Sequence, residues 1–162
     1  MFAAVMGNVD VIKHLLDSGA IIDKADPKGL TPLMVAACEG HKEVVRFLSN
    51  KAANINKQDA RGITALTYAV MKNNLEVVKI LCQHGANIHM VDNDGDDAYK
   101  YSQEYPDITK YLVSLGAVPS VSIRSLSVNR LSIKPRKGGK SRSRSRSRSR
   151  TGPYSTQDKT DV

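Results

Sequence analysis

The chain of 162 residues holds only two cysteines, Cys38 and Cys82. Two are too few for a disulfide framework, and neither stands at metal-ligand spacing. Both read as reduced thiols of an intracellular protein, cytoplasmic or nuclear. No stretch approaches the roughly 18 consecutive apolar residues of a membrane-spanning helix, so no membrane partner is expected. The N-terminus has neither a charged leader nor a signal-type apolar core, which argues against secretion. Acidic residues are scarce at one end. Residues 118–162 carry 12 Lys/Arg against Asp158 and Asp161, a net of +10, while residues 1–117 carry 12 Lys/Arg against 14 Asp/Glu, a net of −2. The total of +8 hides a near-neutral body and a strongly basic tail. Such asymmetry points to an interaction tail rather than a basic globular surface.

Site chemistry is also missing. Gly139-Lys140-Ser141 ends like a phosphate-binding loop, but Lys134 stands where the upstream glycine is required. His14, His41, His84 and His89 show no metal-ligand spacing with Cys or carboxylates. Asp92, Asp94 and Asp96 alternate like the start of a calcium loop. Gln103 occupies the place of its closing glutamate and Gly95 comes too early, so a solvated acidic turn is the favoured reading. No nucleophile, base and orienting group stand at a recognisable spacing. The expectation is a non-enzymatic chain with no catalytic residues, metal or cofactor.

What the sequence does have is a period. Gly29-Leu30-Thr31-Pro32-Leu33 is answered 33 residues later by Gly62-Ile63-Thr64-Ala65-Leu66. Val44-Val45-Arg46-Phe47-Leu48 is answered by Val77-Val78-Lys79-Ile80-Leu81, and Ala53-Asn54-Ile55-Asn56 by Ala86-Asn87-Ile88-His89. A fixed period of this size implies stacked units, each burying its apolar face on its neighbour. Each full unit opens with Asp and then Gly three residues on, Asp26/Gly29 and Asp59/Gly62, the glycine supplying a tight turn. Thr31 followed by Pro32 is a helix start, a hydroxyl N-cap with Pro at the first helical position. Gly40-His41 ends that short helix. A second helix is predicted from about Lys42 to Asn50, with Val44, Val45, Phe47 and Leu48 on one face. Ala53–Asn56 then leads in extended form to the next Asp.

This pattern resembles the ankyrin repeat, whose consensus reads Asp-x-x-Gly-x-Thr-Pro-Leu-His-x-Ala-Ala, then Gly-His, Val-Val, Leu-Leu and Gly-Ala-Asp-Val-Asn. The resemblance covers about residues 1–117 and implies an all-α solenoid of about 3.5 helix-turn-helix repeats, just above the roughly three a stable stack needs. The units are 1–25, opened in its first helix; 26–58; 59–91; and a shortened cap, 92–117, followed by a disordered basic tail, 118–162. Met34 and Thr67 replace the consensus histidine, which puts that residue's hydrogen bonds in doubt. Ala65 replaces Pro, and Asn73-Asn74 replaces Gly-His. The first unit lacks its turn and any polar outer face, so the expectation is an array that continues upstream or presents a bare apolar end.

Ankyrin domains bind proteins through turn tips and the concave faces of their first helices. Carried over by position, the tips present Pro27, Lys28 and Leu30; Ala60, Arg61 and Ile63; and Asn93, Asp94 and Asp96. The first helices add Val5 and Met6, Cys38 and Glu39, and Met71 and Lys72. The tips pass from basic and apolar to acidic. Leu30, Ile63 and Met71 are the expected anchors, with Lys28 and Arg61 steering a protein partner and Glu39 and Lys72 beside them.

The tail loses the periodicity, and its Ser/Arg/Lys/Gly/Pro composition cannot bury enough apolar surface to offset ordering entropy. Residues 141–150 are five uninterrupted Ser-Arg pairs. That run resembles the arginine/serine segments of pre-mRNA processing proteins, which are substrates of dedicated Ser/Arg kinases. Phosphorylation of Ser141, Ser143, Ser145, Ser147 and Ser149 would add roughly −1.5 to −2 each. Lys134, Arg136, Lys137 and Lys140 read as a nuclear-import-type basic cluster. Arg124-Ser125-Leu126-Ser127 has the look of a basophilic kinase site. Thr160-Asp161-Val162 fits the terminal carboxylate ligand of a PDZ domain, with Val162 as its anchor. The leading expectation is a protein-binding scaffold whose tail directs nuclear residence or RNA-processing contacts. Two alternatives stay open: direct RNA binding by the tail, and a fragment of a longer ankyrin protein with an enzymatic part elsewhere.

Overall fold

The computed structural model describes residues 1–118. Among these, eight helices form four consecutive pairs: α1 Phe2–Val5 and α2 Val9–Asp17, α3 Pro32–Glu39 and α4 Lys42–Asn50, α5 Ala65–Met71 and α6 Leu75–Gln83, α7 Ala98–Ser102 and α8 Pro106–Ser114. First helices pack on first helices along α1, α3, α5 and α7. Second helices pack alike along α2, α4, α6 and α8. The result is an all-α, two-layered stack, and α4 has the bounds its apolar spacing predicts.

Local chemistry explains the starts of α3, α5 and α7. The Thr31 hydroxyl accepts the Met34 N–H at 3.3 Å, Thr64 accepts that of Thr67 at 3.2 Å, and Asp97 accepts that of Lys100 at 2.9 Å. Each side chain satisfies one of the amides that a helix N-terminus leaves unpaired, worth about 0.5–2 kcal/mol. The two residues replacing the consensus histidine also find bonds. The Met34 sulfur accepts the Thr31 N–H at 3.4 Å, closing a reciprocal cap, and the Thr67 hydroxyl lies 3.1 Å from that of Thr64. Both substitutions keep the turn-to-helix junction hydrogen-bonded.

Small residues let the inner layers meet: Ala3, Ala4, Ala36, Ala37, Ala69 and Val70 are buried between adjacent first helices. The outer layer contributes Val44, Val45 and Leu48, Val77, Val78 and Leu81, and Ile108 and Leu112. One expectation needs correction. The segment after α4 does not stay extended, because Ile55 and Asn56 form a turn in which the Lys57 N–H donates to the Asn54 carbonyl at 3.3 Å. The Asn54 side chain holds that turn by accepting the Asn56 N–H at 3.2 Å.

Candidate protein-binding surface

Three turns project between the helix pairs, and all three are built on one carboxylate. The Asp26 Oδ1 accepts the N–H groups of Lys28 at 2.9 Å and Leu30 at 2.8 Å. Asp59 holds Arg61 and Ile63 in the same way, both at 2.9 Å, and Asp92 holds Asp94 at 2.9 Å and Asp96 at 3.0 Å. An Asp side chain mimics a backbone acceptor here and closes the turn without a strand. Successive tips are then linked by backbone. Ala60 N–H donates to the Lys28 carbonyl and Asn93 N–H to the Arg61 carbonyl, each at 3.0 Å. That approach leaves no room for a side chain at Gly29 or Gly62. Both have positive φ, and a Cβ on Gly62 would lie 2.9 Å from the backbone of Asp92 and Asn93.

The second turn carries more than the first. Tyr68 donates its hydroxyl hydrogen to Asp59 Oδ2 at 2.7 Å, and Arg61 Nη2 donates to the Tyr68 oxygen at 2.5 Å. Arg61 Nε lies 3.5 Å from Asp59 Oδ2, and the guanidinium sits 5.7 Å from the centre of the Tyr68 ring. Burial alone would raise the Asp59 pKa. The bonds from Tyr68, Ile63 and Arg61, with the Arg61 charge, outweigh it and hold the carboxyl below its ordinary value. Asp92 is likewise held down against burial, by Tyr101 and by the amides of Asp96, Asp94 and Gly95. Tyr101 donates to Asp92 nine residues upstream, as Tyr68 does to Asp59. With both oxygens of Asp92 engaged, the Asp92–Asp96 segment is a self-satisfied turn. Among the described residues no three His, Cys, Asp or Glu side chains cluster as metal ligands, and no helix is long and apolar enough to cross a membrane.

A second ladder joins the pairs at the far ends of the first helices. His41 Nε2 lies 2.8 Å from the Val5 carbonyl. Asn74 Nδ2 donates to the Cys38 carbonyl at 3.2 Å, and the Tyr105 hydroxyl to the Met71 carbonyl at 3.3 Å. Val5, Cys38 and Met71 are 33 residues apart, so three chemically different side chains serve one position. Asn73 takes the left-handed conformation of Gly40, with φ 57 against 79, which explains how Asn73-Asn74 stands in for Gly-His.

Most of the residues singled out from sequence face solvent. Lys28, Glu39, Arg61, Met71 and Lys72 are exposed, and Leu30 is half-buried. Ile63 is a correction. It is 4% exposed and belongs to the core, so it cannot serve as an anchor. Its turn is flanked on both sides, by the Asp26 and Asp92 turns, whereas the Leu30 turn has a neighbouring turn on one side only. Tyr68 was not singled out, and Asn74 and Tyr105 were given no contact role. The nine-residue Asp–Tyr spacing at 59/68 and 92/101 is the signal that would have marked Tyr68. Cys38 and Cys82 are both partly buried, and desolvation raises both thiols, Cys82 to about 11. The basic cluster Lys134, Arg136, Lys137 and Lys140, the serines of 141–149, Ser125 and Val162 lie outside the described residues.

At the opposite end of the stack, α1 and α2 turn an apolar face outward. Val11 and Leu15 are 45% and 46% exposed, while their counterparts Val44, Val77, Leu48 and Leu81 are at most 1% exposed. Phe2 and Met6 extend the same face.

The family model for ankyrin repeats (3 copies) matches residues 1–59 and 51–123. The chain belongs to the ankyrin repeat family. No curated protein gives a significant match. Ankyrin repeats are protein–protein interaction modules, and the turn tips and first-helix ends of this ankyrin stack present exposed side chains, Lys28, Glu39, Arg61, Met71 and Lys72 among them. From tip to tip, position 28 is Lys, 61 Arg and 94 Asp; at the helix ends, 39 is Glu and 72 Lys. Both signs are present on this surface, with the two cations Lys28 and Arg61 on the first two tips.

Proposed function

We propose that the chain is a non-enzymatic intracellular scaffold that binds a protein partner across its turn tips and first-helix ends. The observation that supports it is the row Lys28, Arg61, Met71 and Lys72: exposed cations and an exposed thioether on a surface whose backbone is rigidly cross-linked from turn to turn. A rigid, pre-organised surface binds with little ordering cost. The test is affinity capture with the full chain and with the variant Lys28→Glu, Arg61→Glu, Lys72→Glu. Proteins captured by the former and lost from the latter, with an unchanged thermal melt, support the reading. Identical capture by both refutes it.

The tail works in this proposal as a charge switch. Five phosphates on Ser141–Ser149 would add about −7.5 to −10, reversing the sign of a run that holds five arginines. Unmodified, the run and the Lys134–Lys140 cluster direct nuclear residence and contact RNA phosphates without sequence preference. Incubation with a Ser/Arg kinase and ATP should add phosphate within residues 141–149, read by intact mass. No added phosphate refutes the switch. Retention of RNA affinity after deletion of residues 134–150 refutes RNA contact through this segment.

A further inference from the structure

Between the first and second turns lies a groove of about 390 Å³ lined by Lys28, Leu30, Asp59, Ala60, Arg61 and Tyr68. Its charge is one-sided at the surface. The Asp59 carboxylate is buried and spent, with Oδ1 on two backbone amides and Oδ2 on Tyr68. Arg61 is held by Tyr68 and Asp59 along one edge of its guanidinium, with the side chain still 63% exposed. The remaining N–H groups, of about five that a guanidinium carries, are left for a ligand. Lys28 makes no ion pair among the described residues. The bond from Ala60 N–H to the Lys28 carbonyl sets the two cations on adjacent tips. The walls are apolar: Leu30, Ala60 and the Tyr68 ring.

We infer that this groove receives a linear acidic segment of the partner protein. A carboxylate side chain is gripped by Arg61 and steered by Lys28, and a neighbouring apolar side chain lies against Leu30, Ala60 and Tyr68. The inference rests on the protein-binding reading above and adds the chemistry of the partner. Arg61 suits the task because its planar fork matches a carboxylate at two points. Its hydrogen bond to Tyr68 holds that fork in place before the ligand arrives, which lowers the ordering cost of binding. The cation pair occurs at this junction alone, since the next tip carries Asp94 at the same register. An acidic segment is therefore directed to the first and second tips.

The test is selection of a displayed library of linear peptides on the full chain, followed by affinity measurement of the enriched peptides as synthetic probes. Enrichment of Asp or Glu beside an apolar residue is expected, with binding weakened at least tenfold by Lys28→Glu and by Arg61→Glu. Arg61→Lys, which keeps the charge and loses the fork, should weaken it less. Lys28 is exposed and its side chain holds no part of the fold, so Lys28→Glu stays informative even if Arg61→Glu lowers the melting temperature. Enriched peptides that are not acidic, or that ignore both substitutions, overturn the groove while leaving the scaffold standing. No enrichment at all likewise overturns the groove, while the scaffold stands or falls on the capture experiment above. A polyuridine oligonucleotide whose binding falls equally on Lys28→Glu would assign the groove to nucleic-acid phosphate and overturn the inference.

Discussion

Replacing Leu48 by Ala removes three carbon atoms from a side chain that is 1% exposed, on α4, which packs against both α2 and α6. At about 0.8 kcal/mol per buried methylene the transfer loss alone is about 2.4 kcal/mol. Surrounding side chains relax only partly into the space, so a residual cavity adds its own cost, and a total of about 3–4 kcal/mol is expected. Leu15 occupies the same position of the first pair, yet is 46% exposed. Half of its surface is already wet and solvent fills the space left behind, so Leu15→Ala should cost about 1 kcal/mol or less. Urea unfolding followed by circular dichroism separates the two. With m near 1.5–2 kcal/mol/M, Leu48→Ala should move the midpoint down by roughly 1.5–2.5 M and Leu15→Ala by roughly 0.5 M, at constant m. Equal shifts would refute the reasoning, because they would mean that the outward face of α1 and α2 is packed in solution as tightly as the interior.

Gly62→Ala should destabilise by well over the roughly 1–2 kcal/mol of a left-handed alanine, since its Cβ meets the backbone of Asp92 and Asn93, whereas Gly85→Ala meets nothing within 4 Å and should cost that conformational term alone. Thermal melts of the pair decide this. Ala52 has φ 60 where the adjacent pairs place Gly19 and Gly85, so Ala52→Gly should raise stability by about 0.5–1 kcal/mol, against the usual direction of a glycine substitution. Asp59 and Asp92 have pKa values below their ordinary range in the folded state. Their contribution is complete above the unfolded value of about 3.9 and is lost as pH falls through the lower folded value, so the urea midpoint should drop below about pH 4. Asp59→Asn should lower the midpoint at neutral pH and flatten that acid limb; an acid limb of unchanged steepness would refute the assignment.

Much of the fold was legible because its causes are local or periodic. A hydroxyl before Pro starts α3 wherever the chain goes afterwards, and Val44, Val45 and Leu48 share a face by helical geometry alone. The 33-residue register placed the turns and the exposed charges Lys28, Glu39, Arg61 and Lys72 correctly. What it missed concerns neighbours. Leu30 and Ile63 are the same position in successive units and look equally suited to a tip. Only the stack decides that Ile63, with a turn on either side, is core and Leu30, with one, is half-exposed.

The sequence by itself determined the class of the protein, the bounds of α4 and the Asp–Gly turns, since propensity, capping and periodicity act over a few residues. The tertiary structure decided which apolar residues are available to a partner, and how Asn74 and Tyr105 come to serve the position of His41. It alone showed that Arg61 is held by Tyr68 and Asp59 on an adjacent tip to Lys28. Burial and side-chain pairing are properties of surfaces brought together across 33 residues, and chain order carries no record of which ones meet until the repeats are stacked.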